Sequence, residues 1–201
     1  MVPTIDPQAA SDEAQAAQLT ARLQSWAHIL DVGSPLRVES GYENAVATLR
    51  AFARRGIARD AAAVAEHAEP AAIVRALTSA LNAIERSPLP EQEWPRMTAL
   101  LGDDVLEGLV GASVSSMYRY RSGERHTPDH VAQRLHTLTL IAADLAGSYN
   151  DFGIRRWFAR PRAQLDGRAP AEIMKGDWDP DDADVRRVKQ LAAALTSPRS
   201  A

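Results

Sequence analysis

The sequence predicts an all-α protein. Apolar residues recur at spacings of three and four along most of the chain, and glycine and proline fall where helices stop and start. No segment shows the period-two alternation of a half-buried strand, and no internal repeat is present. The pattern divides into an N-terminal helical region over 1–88, a middle region over 89–147 and a small C-terminal helical module over 148–201. The division at 88 rests on Ser87-Pro88-Leu89-Pro90, because two prolines two residues apart disfavour a continuous helix.

Ser11 is placed to cap a first helix with Leu19, Leu23, Trp26 and Leu30 on one face, ending near Gly33 with Pro35 beyond. Ser40-Gly41-Tyr42-Glu43 has the form of a capping box ahead of Val46, Leu49 and Phe52. The alanine-rich run Asp60 to Glu69 reads as helix, and Pro70 opens another that carries Ile73, Leu77, Leu81 and Ile84. Beyond the proline pair, short helices are expected over Trp94–Leu101, Asp103–Val110 and Ser113–Ser122. A long helix follows, capped by Thr127 with Pro128 at its first position and lined by Val131, Leu135, Leu138, Ile141 and Leu145. Further helices are expected at Asp151–Ala159, Ala169–Lys175 and Asp181–Leu195, with a disordered tail from Thr196.

Composition narrows the function classes. The chain has 201 residues, 45% hydrophobic and 24% charged, and no cysteine, which excludes disulfides and cysteine-ligated zinc and suits a cytoplasmic protein. No apolar run approaches the roughly 20 residues needed to span a bilayer, and Met1 to Ala10 lacks a secretory pattern, so no membrane partner is expected. The net charge of −3 is unevenly distributed. Residues 1–110 hold 9 basic and 15 acidic side chains, net −6; residues 111–168 hold 9 and 5, net +4; residues 169–201 hold 5 and 6, net −1. A polyanion would therefore meet the middle of the chain.

That middle contains the informative segment. Gly111 can take the left-handed backbone of a tight turn after the Asp103–Val110 helix, Ala112 is small, and Ser113 is a good cap for the next helix. Val114 and Met117 are expected to face the preceding helix, with Tyr120 further along. Ser113, Ser115, Ser116, Tyr118 and Arg119 project away, and Arg121 and Arg125 lie at the helix end, where phosphates would pass. A helix, a three-residue turn and a second helix is the geometry that lays the second helix in the major groove, where Arg119 would read guanine with its planar fork. Gly111-Ala112-Ser113, Ser116-Met117-Tyr118-Arg119-Tyr120 and Ser122-Gly123-Glu124 together resemble the Xre-type pattern Gly-Val-Ser, Thr-Val-Ser-Arg-Trp, Ser-Gly-Glu. Alanine stands at Ala112 for the usual valine and tyrosine at Tyr120 for the tryptophan. The bland alternative is a helical hairpin with solvated arginines.

Trp157-Phe158-Ala159-Arg160-Pro161 followed by Leu165-Asp166-Gly167-Arg168-Ala169-Pro170-Ala171-Glu172-Ile173-Met174 resembles the toxin-binding domain of the Xre/MbcA/ParS antitoxin family. That family's pattern runs Trp-Leu, Pro-Asn, Leu-Gly-Gly-Arg-x-Pro-x-Glu-Leu-Leu. The resemblance spans about 97–195, roughly half the chain, and the order of the two modules is more specific than either alone. Arg162 stands where the family has asparagine and Asp166 where it has the first glycine; the acidic segment Gly176–Asp184, with five aspartates and Trp178, is longer than a minimal family tail. Gly167 allows a sharp reversal and Pro170 a helix start, with Trp157 and Leu165 expected under that turn and Ile173 above it. Ordinary core is the favoured reading for Trp157, Leu165 and Ile173 over a partner contact, and Arg168 divides between an internal staple and a partner contact. Trp157, Arg160, Arg162, Arg168 and Trp178 are the candidate partner-binding residues, Trp178 being the expected exposed aromatic.

The resemblance implies an antitoxin of a type II toxin–antitoxin pair: a protein without catalysis of its own that binds a cognate toxin, often a RES-type toxin that consumes NAD⁺, and represses its own promoter. A homodimer is expected, since half-site recognition favours two-fold symmetry. The alternatives are a stand-alone helix-turn-helix regulator, favoured by the extra N-terminal region of about 90 residues, and an interaction scaffold with a vestigial helix-turn-helix. No enzyme, cofactor or metal is expected. His28, His67, His126, His130 and His136 read as solvated or satisfied histidines. Asp177-x-Asp179-x-Asp181-Asp182 lacks the glycine and glutamate of a calcium loop, and no nucleotide-binding or hydrolase motif is present.

Overall fold

The computed structural model describes residues 7–33, 41–65 and 68–195. The described residues are helical and contain no strand, and none of their helices is long and apolar enough to cross a membrane. The chain divides into two compact units, 1–87 and 88–201.

In the first unit, α1 (Pro7–Ile29) packs on α2 (Gly41–Arg54) and α4 (Pro70–Arg86), and α3 (Arg59–Ala65) closes the bundle against α2 and α4. Leu23, Trp26, Ile29, Leu49, Phe52, Leu77 and Ile84 are buried in its core. Two expectations shift. α1 begins at Pro7, so Ser11 lies inside the helix and does not cap it. Its buried stripe runs through Ala16, Thr20 and Leu23, which leaves Leu19 half-buried at the flank. The small side chains of Ala16 and Thr20 let a neighbouring helix approach more closely than leucine would. The capping role of Ser40, Pro35, His67 and the tail from Thr196 lie outside the described residues.

The second unit is built around α8 (Asp129–Ala146). α5 (Pro90–Leu101), α6 (Asp103–Val110), α9 (Asp151–Ala159) and α11 (Ala183–Ala193) all pack on it, while α7 (Val114–Arg121) packs on α5 and α6. A short 3-10 helix (Ala163–Leu165) and α10 (Pro170–Ile173) link α9 to α11. The stripe read from the sequence, Val131, Leu135, Leu138, Ile141 and Leu145, is buried, but so are Arg134, His136, Thr137 and Thr139. A helix surrounded on several sides must bury its flanks, and the flanking polar groups need partners there. Thr137 and Thr139 donate to carbonyls one turn back, Gln133 O and Leu135 O. His136 Nδ1 lies 2.6 Å from Glu93 Oε1, and Glu93 is fully buried on α5. α8 starts one residue later than expected, with Pro128 at its cap and no side-chain capping bond; the Thr127 hydroxyl instead accepts the indole N–H of Trp94 at 2.9 Å.

An exposed ion network ties the turn after α9 to α11. Arg187 meets Asp166 at 2.7 Å and Asp184 at 3.4 Å, and Arg168 meets Asp184 at 2.6 Å. The hydrogen bond from Arg187 holds the Asp166 carboxyl below the usual aspartate range, and that from Arg168 does the same for Asp184. A carboxylate whose folded pKa lies below its unfolded value adds stability above the ordinary aspartate range and loses it as the pH falls through the folded value. Wild type should therefore lose thermal stability more steeply below about pH 4 than Asp184→Asn, with the difference shrinking at high salt. Thermal melts of both proteins over that range check this; parallel curves would show that the network is not felt on folding.

Candidate nucleic-acid interface

The turn between α6 and α7 is set by three residues. Gly111 takes the left-handed conformation (φ 69°, ψ 34°), which costs other residues energy, and its N–H donates to Glu107 O. A Cβ here would sit 2.7 Å from the Arg134 guanidinium, so glycine also makes room for that group. Ser113 caps α7: its Oγ accepts the Ser116 N–H at 3.3 Å, and the Ser113 and Ser116 hydroxyls are 3.0 Å apart. Glu107 reaches across the turn and accepts the Val114 N–H at 3.2 Å, satisfying another free amide of the first turn.

Met117 is the one fully buried side chain of α7. Val114, expected to pack inward, is 39% exposed. Tyr120 stacks on Trp94 of α5 with ring centroids 6.0 Å apart, and the Arg125 guanidinium lies 5.8 Å above the Tyr120 ring. The outward side carries Ser113, Ser115, Tyr118 and Arg119 together, with Arg125 exposed beyond the helix. Arg119 folds back on Ser115, its Nε donating to Ser115 O at 3.3 Å. Ser116 is half-buried by its capping bond, and Arg121 is drawn aside, 3.4 Å from Asp103 and 5.8 Å over the Tyr118 ring. α7 itself contains no acidic residue.

The C-terminal candidates fare differently. Trp178 is buried, correcting its placement as an exposed interface aromatic. Its indole N–H donates to Leu109 O at 2.7 Å, and the Arg134 guanidinium lies 5.7 Å from its ring. Trp157 is also buried, 1% exposed and edge-on to Phe158, so it serves the core and is not free for a partner. Arg162 lies over the Trp157 ring at 4.6 Å, and this burial holds its guanidinium below the usual arginine value. Arg168 is the staple to Asp184 described above, and Arg160 is exposed. Asp166 takes a left-handed φ of 57° and Gly167 one of 77°, a reversal in which glycine is the easier residue at both positions and aspartate a tolerated one. Leu165 is buried under it, whereas Ile173 is only half-buried and Met174 takes the interior place.

Sequence reasoning missed how the C-terminal segment reaches this turn. The last carbonyls of a helix lack partners within it. For α6, Gly108 O accepts the Gly176 N–H at 3.0 Å, Leu109 O accepts the Trp178 indole, and Val110 O faces the Arg134 guanidinium at 3.5 Å. Arg134 also donates to Trp178 O at 2.8 Å and pairs with Asp177. The segment Gly176–Trp178, with one buried cation at a helix C-terminus, therefore caps α6 where the chain turns into α7. An arginine on the flank of an apolar stripe is the only trace of this in the sequence. Comparison of the chain with protein-family models, with curated proteins and with solved structures found no match.

Proposed function

We propose that this chain is a DNA-binding antitoxin: a helix-turn-helix protein that docks α7 in the major groove of its own promoter and binds a cognate toxin through its C-terminal module. One observation carries the DNA half. α7 is held by Met117 and a serine cap, and its outward side presents Ser115, Tyr118 and Arg119 with no acidic residue on the helix. A helix held on one side, presenting hydroxyls and a guanidinium on the other, suits a groove lined with base edges and flanked by phosphates. Arg119 is the base-reading residue, Arg125 and Ser113 meet phosphate, and Arg121, partly engaged by Asp103, contributes less.

Binding of the full chain to duplex DNA from upstream of its coding sequence, measured by fluorescence anisotropy at several salt concentrations, tests this. Arg119→Ala should relax base preference, costing about 1–3 kcal/mol on the best site, while Arg125→Ala should weaken all sequences alike and shallow the salt dependence by about one charge. Unchanged binding in both variants would remove α7 from the groove.

The toxin half is supported by the resemblance of Trp157–Met174 to the toxin-binding pattern and by its position after the long helix. With Trp157 and Trp178 in the core, the module's outward residues include Arg160, Arg168 and the exposed Phe152–Arg156 pair, whose ring and guanidinium are 5.5 Å apart. The expected partner is the product of an adjacent gene, a RES-type, NAD⁺-consuming toxin, and the expected assembly contains a homodimer of this chain. Co-expression with the neighbouring open reading frame should rescue growth and yield a complex; no rescue and no complex would leave the second reading, a stand-alone regulator. That reading is favoured by the separate compact unit over 1–87, a substantial addition to a minimal antitoxin.

A further inference from the structure

The side of α7 turned to solvent is half apolar. Val114 and Tyr118, one helical turn apart, are 39% and 57% exposed. Beside them runs a polar row, Ser115 and Arg119, joined by the Arg119 Nε to Ser115 O bond. The Arg121 guanidinium lies 5.8 Å over the Tyr118 ring. Met117 is the buried side chain of this helix and Tyr120 stacks on Trp94, so the helix has anchors other than the Val114 side chain. A β-branched apolar residue at the first helical position is also a poor choice for the helix itself, where polar and acidic residues do better. With Tyr118 it forms an apolar pair at the helix surface.

The setting says what would cover this row. Hydroxyls and guanidinium groups border it; of the carboxylates beside it, Glu107 accepts the Val114 N–H and Asp103 faces Arg121. A surface of apolar spots edged by cations complements a polyanion that itself carries apolar spots. The major groove is such a surface, and its apolar feature is the thymine C5-methyl group. Resting on the reading of α7 as the helix that enters the groove, we propose that Val114 and Tyr118 read thymine methyl groups beside a guanine read by Arg119. Four residues of helix rise about 6 Å. That is roughly two base-pair steps of about 3.4 Å, so the methyl groups should lie within about two base pairs of the guanine.

The test begins by selecting bound duplexes from a random pool with the full-length chain. Affinity is then measured for the selected duplex and for versions in which deoxyuridine replaces thymidine at one position at a time. This removes the methyl group and leaves every hydrogen-bonding edge intact. Wild type should lose about fourfold at one or two thymines near the guanine, the effect of one lost buried methyl, and nothing elsewhere. Val114→Ala, an exposed change expected to leave the melting temperature unaltered, should lose about fourfold on the thymine duplex and become indifferent to deoxyuridine at one of those positions. A duplex that is selected and bound, yet tolerates deoxyuridine everywhere, overturns the methyl reading and leaves α7 as a DNA-binding helix. Methyl discrimination that persists in Val114→Ala, with self-association lost in sedimentation, would assign the row to a second copy of the chain and also overturn it. Failure to select any duplex at low salt would overturn both this inference and the DNA-binding function beneath it.

Discussion

Trp178→Ala should destabilise the 88–201 unit by about 3–5 kcal/mol, the usual cost of emptying a buried tryptophan site. The side chain is 5% exposed, bonds Leu109 O and lies beside the Arg134 guanidinium. Its removal leaves a cavity, frees a helix-terminal carbonyl and withdraws cover from a buried cation. Trp178→Phe keeps most of the volume and loses the bond, so its cost should be nearer 1–3 kcal/mol. Urea denaturation followed by circular dichroism gives the two values, and hydrogen exchange at the α6 amides should rise in the same order. A Trp178→Ala protein within about 0.5 kcal/mol of wild type would mean that Gly176–Trp178 is a surface tail and no cap for α6. If the cap is real, DNA affinity should fall along with stability, because the turn that aims α7 begins where this segment ends.

His136→Ala is the second large effect. Glu93 has no solvent exposure, and its partner Oε1 lies 2.6 Å from His136 Nδ1, while its Oε2 has no hydrogen-bond partner among the described residues. Removing the imidazole strands a buried carboxyl group, and breaking a buried pair from one side costs about 3–5 kcal/mol. His136→Gln, which restores a donor near the same place, should recover a substantial part of that loss. Equilibrium unfolding of wild type and the two variants checks it; alanine and glutamine variants of equal stability would mean that His136 fills space and does not satisfy Glu93. The effect should reach α7 as well. Glu93 precedes Trp94, whose ring stacks on Tyr120 and whose indole N–H holds Thr127.

The interface was partly legible in the sequence. The Gly111 turn and the Ser113 cap could be read because each depends on local backbone chemistry: one needs a left-handed residue, the other a side-chain oxygen three residues before a free N–H. The inward or outward sense of Val114 could not be read in the same way. It sits at the end of a helix, where rotation by one position decides between core and solvent, and only the placement of α6 settles that. Trp178 illustrates the same limit: it is a large aromatic flanked by two aspartates, a pattern that serves an interface or a core, whereas Trp157, expected under the Gly167 turn, is buried.

By itself, then, the sequence determined the all-helical class, the main helices and the turns between them. These follow from periodicity and from the fixed preferences of glycine, proline and serine, which act over a few residues. The tertiary structure alone decided which charged groups are buried and with whom. Arg134 meets Trp178 O 44 residues away, and His136 meets Glu93 43 residues away. Such pairings depend on which helices surround α8, because a polar group has to find its partner wherever packing has removed it from water, and no local rule along the chain records that neighbour.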